Sequence, residues 1–177
     1  MRAIDCPEVD GCGLRLRPLE TTDIEQWFEY LSLPHTLLHT SWNVSCVEDL
    51  RSAVDQYNST APSSNIRFAI EPAQGGALVG TIGFHTVSPA NRTAEVAFDF
   101  HPSHWGRGFA TACCQAVVGW GFSHQRFVRI QGTALESNLA SVRVLEKCGF
   151  VREGKLRNFR LVCGVPRDFW LYAKVPA

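Results

Sequence analysis

The sequence has no excess of either charge: 17 basic side chains balance 17 acidic ones and the formal net charge is zero. A chain built to meet nucleic acid or an anionic membrane carries a basic surplus, so neither partner is expected. No stretch approaches the roughly 20 apolar residues of a membrane span, and residues 1–8 lack the apolar run of a secretory signal, so the expected location is cytoplasmic. Seven cysteines, at 6, 12, 46, 113, 114, 148 and 163, form no CxxC pair and no zinc-type Cys/His spacing. They are expected to be reduced, mostly buried thiols. The six histidines, at 35, 39, 85, 101, 104 and 124, show no ligand spacing either, and no metal is expected. Repeats, low-complexity tracts and linkers are absent, so 177 residues with 45% hydrophobic side chains fit one domain over 1–177.

What the chain does have is the segment Trp105-Gly106-Arg107-Gly108-Phe109-Ala110-Thr111, between a strand-like run and a strongly helical one. Glycines at 106 and 108 strip side chains from the backbone where a helix begins. The first turn of a helix leaves its N–H groups unpaired and carries the positive end of the dipole, so such a turn can cradle phosphoryl oxygens. The same two glycines also suit a plain strand-to-helix turn. No GxxxxGK[ST] loop is present and the third glycine of the dinucleotide fingerprint is missing, which disfavours a nucleotide triphosphatase or a Rossmann enzyme.

Hydrophobic spacing predicts seven strands and four helices. Leu14, Leu16 and Leu19 mark a first strand with an arginine-bearing polar face. A helix follows, capped by Thr22 with Glu25, burying Ile24, Trp27, Phe28 and Leu31 and stopped by Pro34. An irregular segment with His35, His39 and Trp42 precedes a second helix, capped by Ser45 with Glu48. Strands over 66–71, 77–87 and 93–100 form a meander. A buried helix from Phe109, a strand over 126–134, a helix from Leu139 to Cys148 and strands over 151–159 and 169–175 complete the order.

That order resembles the GNAT superfamily of acetyl-coenzyme A-dependent N-acetyltransferases. Trp105 to Ala110 is similar to the superfamily's Q/R-x-x-G-x-G/A pyrophosphate motif, with Trp first and Ala last. Asn138-Leu139-Ala140-Ser141-Val142-Arg143-Val144-Leu145-Glu146-Lys147-Cys148-Gly149-Phe150 resembles the N-x-x-S-x-x-V-L-E-K-x-G-F signature of the branch that acetylates ribosomal-protein N-termini at alanine or serine. Glu95-Val96-Ala97-Phe98 looks like the fourth strand of the histone-acetylating members. The resemblance runs from Leu14 to Val175. It implies an α/β (α+β) fold with a mixed, mostly antiparallel seven-stranded sheet, about four helices and a splayed strand pair.

It also implies site roles. Phe98, Asp99 and Phe100 would offer backbone groups to pantetheine, and the N–H groups of Gly106, Arg107, Gly108, Phe109, Ala110 and Thr111 would hold the pyrophosphate, behind Trp105. Arg107 would add charge near a phosphate or stay solvated. Asn138 would bond the pantetheine arm, cap the Leu139 helix, or do both. Glu95 would serve as base through water, its alternative being a solvated edge charge, and the Phe98 N–H would receive the oxyanion. The tyrosine that many members use as acid is replaced by Leu145. Ser141 is the substitute, or a small residue that lets the cofactor pack closely; Tyr172 is a remoter candidate.

Cys113 and Cys114 fall in a buried helix, which argues against a cysteine nucleophile and for direct transfer in a ternary complex. His35, His39 and Trp42 would line the acceptor pocket. The expected co-substrate is acetyl-CoA and the expected acceptor a protein N-terminal amine. A small-molecule amine (antibiotic, polyamine or amino acid) and a non-catalytic acyl-CoA-binding module are the alternatives. A homodimer is compatible with the resemblance.

Overall fold

A computed structural model describes residues 5–42, 44–57, 59, 61 and 63–176; Met1–Ile4, within the stretch inspected for a signal, and Ala177 lie outside them. Strands β1 (Leu14–Pro18), β2 (Ile66–Pro72), β3 (Gly80–Ser88), β4 (Thr93–Phe100), β5 (Arg129–Leu135), β6 (Val151–Val162) and β7 (Val165–Lys174) form one sheet. Their order is β1-β2-β3-β4-β5-β7-β6. Every pairing is antiparallel except β4 with β5, which run parallel and meet only over Thr93–Glu95 against Arg129–Gln131. Beyond Glu95 the two strands part, leaving a stretch of β4 main chain paired with β3 alone and without a strand neighbour on its other side.

Helices α1 (Ile24–Leu31), α2 (Pro34–Leu37), α3 (Val47–Gln56), α4 (Phe109–Ser123) and α5 (Leu139–Lys147) flank the sheet. The 3.6-residue spacing of Ile24, Trp27 and Leu31 turns one face of α1 inward, where it packs with Leu50 and Val54 of α3 and Ala69 of β2. The central helix α4 packs Cys113, Val117 and Trp120 against Phe68, Ile82 and Phe84 in the larger core. None of the described helices is long and apolar enough to cross a membrane.

Several local expectations are corrected. Both caps sit elsewhere: Glu20 pairs with Asp23 ahead of the first helical turn, and Cys46 with Asp49 ahead of α3. The physical reason is competition for the carboxylates. Asp23 accepts the Glu20 N–H at 2.9 Å while two nitrogens of Arg17 hold it, and Asp49 accepts the N–H and the hydroxyl of Ser45. Helix α1 ends before Pro34, which instead opens the short extra helix α2, where its missing N–H is unneeded. The last two strands, expected over 151–159 and 169–175, extend into the interval between them as β6 and β7, joined at Cys163-Gly164 with both residues at positive φ. Of the seven cysteines only Cys113, Cys114 and Cys148 are buried; Cys46 and Cys163 are exposed. The hairpin tip leans on α2, with Cys163 Sγ 3.8 Å from the Leu37 carbonyl oxygen.

Gly83 shows how closely β2 and β3 approach. A Cβ there would run into the Ile66 carbonyl oxygen and lie 2.8 Å from its carbon. Backbone in mid-sheet cannot yield as a side chain would, so Gly83→Ala is expected to cost about 3 kcal/mol, the upper end for overpacking. That lowers Tm by about 6–12 °C, read by thermal denaturation; an unchanged Tm would contradict this packing.

Candidate functional site

A cavity of about 930 Å³ opens where β4 and β5 part and runs on between the segment 36–42 and the β6–β7 hairpin. At one end lies the glycine turn. Gly106 and Gly108 have φ of 74° and 80°, a region that side chains resist, and a Cβ on either would point into open space. The N–H groups of Gly106, Arg107, Gly108, Phe109 and Ala110 have no backbone partner among the described residues, whereas those of Thr111 and Ala112 return to the Gly108 carbonyl oxygen at 3.1 Å. The cradle therefore ends at Ala110 rather than Thr111. Five convergent donors at a helix start, free of side-chain cover, fit a diphosphate. Arg107 lies over the Phe109 ring, 4.6 Å from its centroid, with Nη1 3.4 Å from His104 Nδ1, which keeps its charge beside the turn.

Main-chain direction along β4 follows from register. The His101 N–H donates to the Val79 carbonyl at 2.9 Å, so the odd-numbered residues of this segment face β3 and the even-numbered ones face the gap. Of the three residues expected to meet pantetheine, Phe98 keeps a gap-facing N–H and carbonyl. Asp99 does not: its carbonyl lies against Gly80 of β3. The Phe100 carbonyl is taken by the indole N–H of Trp105 at 2.8 Å, which closes the open edge and leaves the Trp105 side chain partly exposed. Val96 is the additional even-numbered position on the gap.

On the acceptor side Glu95 is buried, 4% exposed, and not a solvated edge charge. It accepts from Thr133 Oγ1 at 2.6 Å, Arg160 Nη2 at 3.1 Å and Gln131 Nε2 at 3.2 Å, with His85 Nε2 at 3.5 Å. Burial pushes its carboxyl up, but hydrogen bonds from His85 and Thr133 and the charges of His85 and Arg160 outweigh burial and hold the pKa at about 2. The Asp99 carboxylate, less deeply buried, is also surrounded by donors: Trp27 Nε1 donates at 3.1 Å, Thr81 Oγ1 at 2.9 Å, and Tyr30 and Arg67 donate at short range.

Asn138 is the N-cap of α5, its Oδ1 accepting the Ser141 N–H at 3.1 Å, and both residues line the cavity. Leu145 is buried against Gly132 of β5, where an added Cβ would stand 2.9 Å from it, so that position carries core packing. Tyr172 is buried outside the cavity and donates to Glu146 at 3.0 Å, which removes it as an acid. His39 and Trp42 line the cavity as expected; His35 instead meets the Trp105 ring edge-on. Burial pushes the Cys113 thiol up to about 12, so it offers no thiolate near neutrality. Among the described residues no group of His, Cys, Asp and Glu could hold a metal ion.

The family profile described as Acetyltransferase (GNAT) domain matches residues 13–151. The chain belongs to this GNAT family. It is 34% identical over 171 residues, 96% of this chain and 97% of the other, to an uncharacterized N-acetyltransferase, YoaA, of Bacillus subtilis. A putative ribosomal N-acetyltransferase of the same organism, YdaF, is 32% identical over 98 residues, 55% of this chain and 54% of the other. The fold matches the crystal structure of spermidine N-acetyltransferase from Vibrio cholerae in complex with CoA and spermine. The TM-score is 0.82 at 22% identity, over 93% of this chain and 96% of that one. As a GNAT enzyme the chain is an acetyl-CoA-dependent N-acetyltransferase.

Sequence reasoning missed Arg67, His85, Gln131, Thr133 and Arg160 around the two carboxylates. The only signal for Arg67 was a charge in the mostly apolar strand Ile66–Pro72, which also carries Glu71. Arg160 gave none, since it falls between the runs read as strands.

Proposed function

We propose that this GNAT enzyme transfers the acetyl group to the N-terminal amine of a protein or peptide of the ribosomal-protein type. One observation carries the reading: among the described residues the two carboxylates lining the cavity, Glu95 and Asp99, are both engaged by donors of the chain itself. A polyamine needs unspent negative charge along its length, and here Arg67 and Arg160 neutralise what is present. A carboxylate with a pKa of about 2 is also a weak proton acceptor. It suits an α-amine, pKa about 7.7–8.0 and already about one-tenth neutral at pH 7, better than a lysine-like amine near 10.4. Trp42, Tyr57 and Phe169 give the acceptor end an uncharged aromatic lining.

In this reading the turn 106–110 grips the diphosphate and the Phe98 main chain pairs with the pantetheine arm as an added strand. The amine nitrogen attacks the thioester carbon; a C–N bond forms while the C–S bond breaks and its electron pair leaves on sulfur. The Phe98 N–H stabilises negative charge on the thioester oxygen. Glu95 holds the water through which the amine proton departs. Ser141 faces the departing sulfur, and with Leu145 in the core no phenol serves it.

The test is thiol release at pH 7 with acetyl-CoA and matched acceptors. An alanine- or serine-initiated uncharged peptide is expected to exceed spermidine in kcat/KM by about tenfold or more. Spermidine winning would overturn the acceptor assignment. Acetyl-CoA binding without thiol release from any amine would favour a non-catalytic acyl-CoA-binding module.

A further inference from the structure

Arg67 is 6% exposed, and three of the contacts that its guanidinium makes from β2 bear on β4. Nε donates to Thr81 Oγ1 at 2.9 Å, Nη2 pairs with Asp99, and Nη1 donates to the Ala97 carbonyl oxygen at 3.0 Å. Register explains its reach: Arg67 stands opposite Gly83, and Gly83 opposite Ala97, so no side chain on β3 stands between the arginine and β4. Asp99, with Trp27, Tyr30 and Thr81 all donating to it, fixes the fork in one orientation.

The third contact does more than satisfy a buried N–H. The Ala97 carbonyl faces β3, and as an odd-numbered residue of β4 it lies opposite Gly83 in the ladder. A cation added to it acts on the peptide group as a whole. Resonance couples the carbonyl to the amide nitrogen of the next residue, and hydrogen bonds in a chain polarise one another by about 10–30% each. The other end of that peptide group is the Phe98 N–H, which faces the gap.

We propose that Arg67 is a positioning residue for acetyl transfer: by donating to the Ala97 carbonyl it fixes and polarises the one peptide group whose N–H receives the charge developing on the thioester oxygen. The inference rests on the assignment of Phe98 as oxyanion donor under the proposed function. Arg67 lines the cavity, but its guanidinium is directed at Thr81, Asp99 and the Ala97 carbonyl, so the role proposed for it acts through the backbone. It adds a delocalised, permanently charged donor behind the backbone group that does.

Isotope-edited infrared spectra of [1-13C]acetyl-CoA bound to the full chain test this. In the wild-type protein the thioester carbonyl band is expected to fall in frequency on binding. In Arg67→Lys, which keeps the charge for Asp99 and loses the fork, the band should return at least half-way to its free value. Kd for acetyl-CoA should stay within about threefold while kcat drops tenfold or more with little change in acceptor KM. Ala97-Phe98 is the only Ala-Phe pair in the sequence, so 13C-carbonyl-alanine with 15N-phenylalanine labelling isolates this one amide. Its proton resonance should move upfield in the variant.

Thr81→Val, which removes only the hydroxyl steadying Nε, should shift the band the same way by a smaller amount, and decides the matter if Arg67→Lys does not fold. A wild-type band shift left intact in both variants, with kcat preserved, overturns the role of Arg67 alone. A wild-type band that does not move on binding overturns the Phe98 assignment and the proposal with it.

Discussion

Gly108→Glu is expected to abolish acetyl-CoA binding, raising Kd at least about 100-fold. Two effects add. The backbone at φ 80° costs a side-chain-bearing residue about 1–2 kcal/mol, and the new negative carboxylate projects from the turn whose main-chain N–H donors are proposed to hold the diphosphate. An added Cβ meets nothing within 4 Å, so the fold should survive with Tm lowered by only a few degrees. Calorimetry and thermal shift read the outcome: a ligand of the native state raises Tm by an amount set by its concentration over Kd. Wild-type protein should show that rise and the variant none. Gly108→Ala separates the contributions, since it carries the strain without the charge and should weaken binding far less. A Gly108→Glu protein that binds acetyl-CoA normally would place the diphosphate elsewhere.

The second large effect is expected at Glu95. Glu95→Gln keeps the shape and removes the charge that organises departing protons, so kcat should fall about 100-fold, the low end for a positioned proton acceptor. Acetyl-CoA affinity should stay within about twofold, because the cradle lies on another element. The same variant has a stability signature. The folded pKa, about 2, lies below the ordinary 4.5. The stabilisation from ionised Glu95, about 3 kcal/mol by linkage, is therefore fully present above pH 4.5 and lost as pH falls toward 2. Wild-type minus variant stability, measured by denaturant unfolding between pH 7 and pH 2.5, should shrink in that window. A variant with full rate would remove Glu95 from the chemistry, and a stability difference flat with pH would contradict its ion pairing with Arg160.

What could be read from the sequence follows the range over which its signals act. The strand 93–100, the glycine turn, the buried helix α4 and the capped helix α5 each announce themselves within one element, by alternation, by helical spacing or by an asparagine three residues ahead of a serine. Those segments line one side of the cavity, and three local readings on them change: the Thr111 N–H is paired within the turn, the Asp99 carbonyl faces β3 and the Phe100 carbonyl is taken by Trp105. The acceptor side was mostly illegible. Arg67, His85, Gln131, Thr133 and Arg160 come from four strands and meet only because the sheet order sets β2 and β3 on one side of β4 and β5, β7 and β6 on the other. Exposed strands hide as well. Most of β6 is solvent-facing, so its charged residues imitate a loop and its pairing with β7 is visible only in the ladder.

The enclosure of Asp99 bears on how acceptor choice can drift. Trp27 and Tyr30 bind α1 to β4 through one carboxylate, so α1 cannot shift without disturbing the strand proposed to meet the thioester. Helix α2, the segment 38–42 and the Cys163-Gly164 tip touch the sheet's reactive centre through no such anchor. Substitutions there can reshape the entrance while the acyl-handling apparatus stays fixed, and a lineage could exchange one amine for another by remodelling its rim alone.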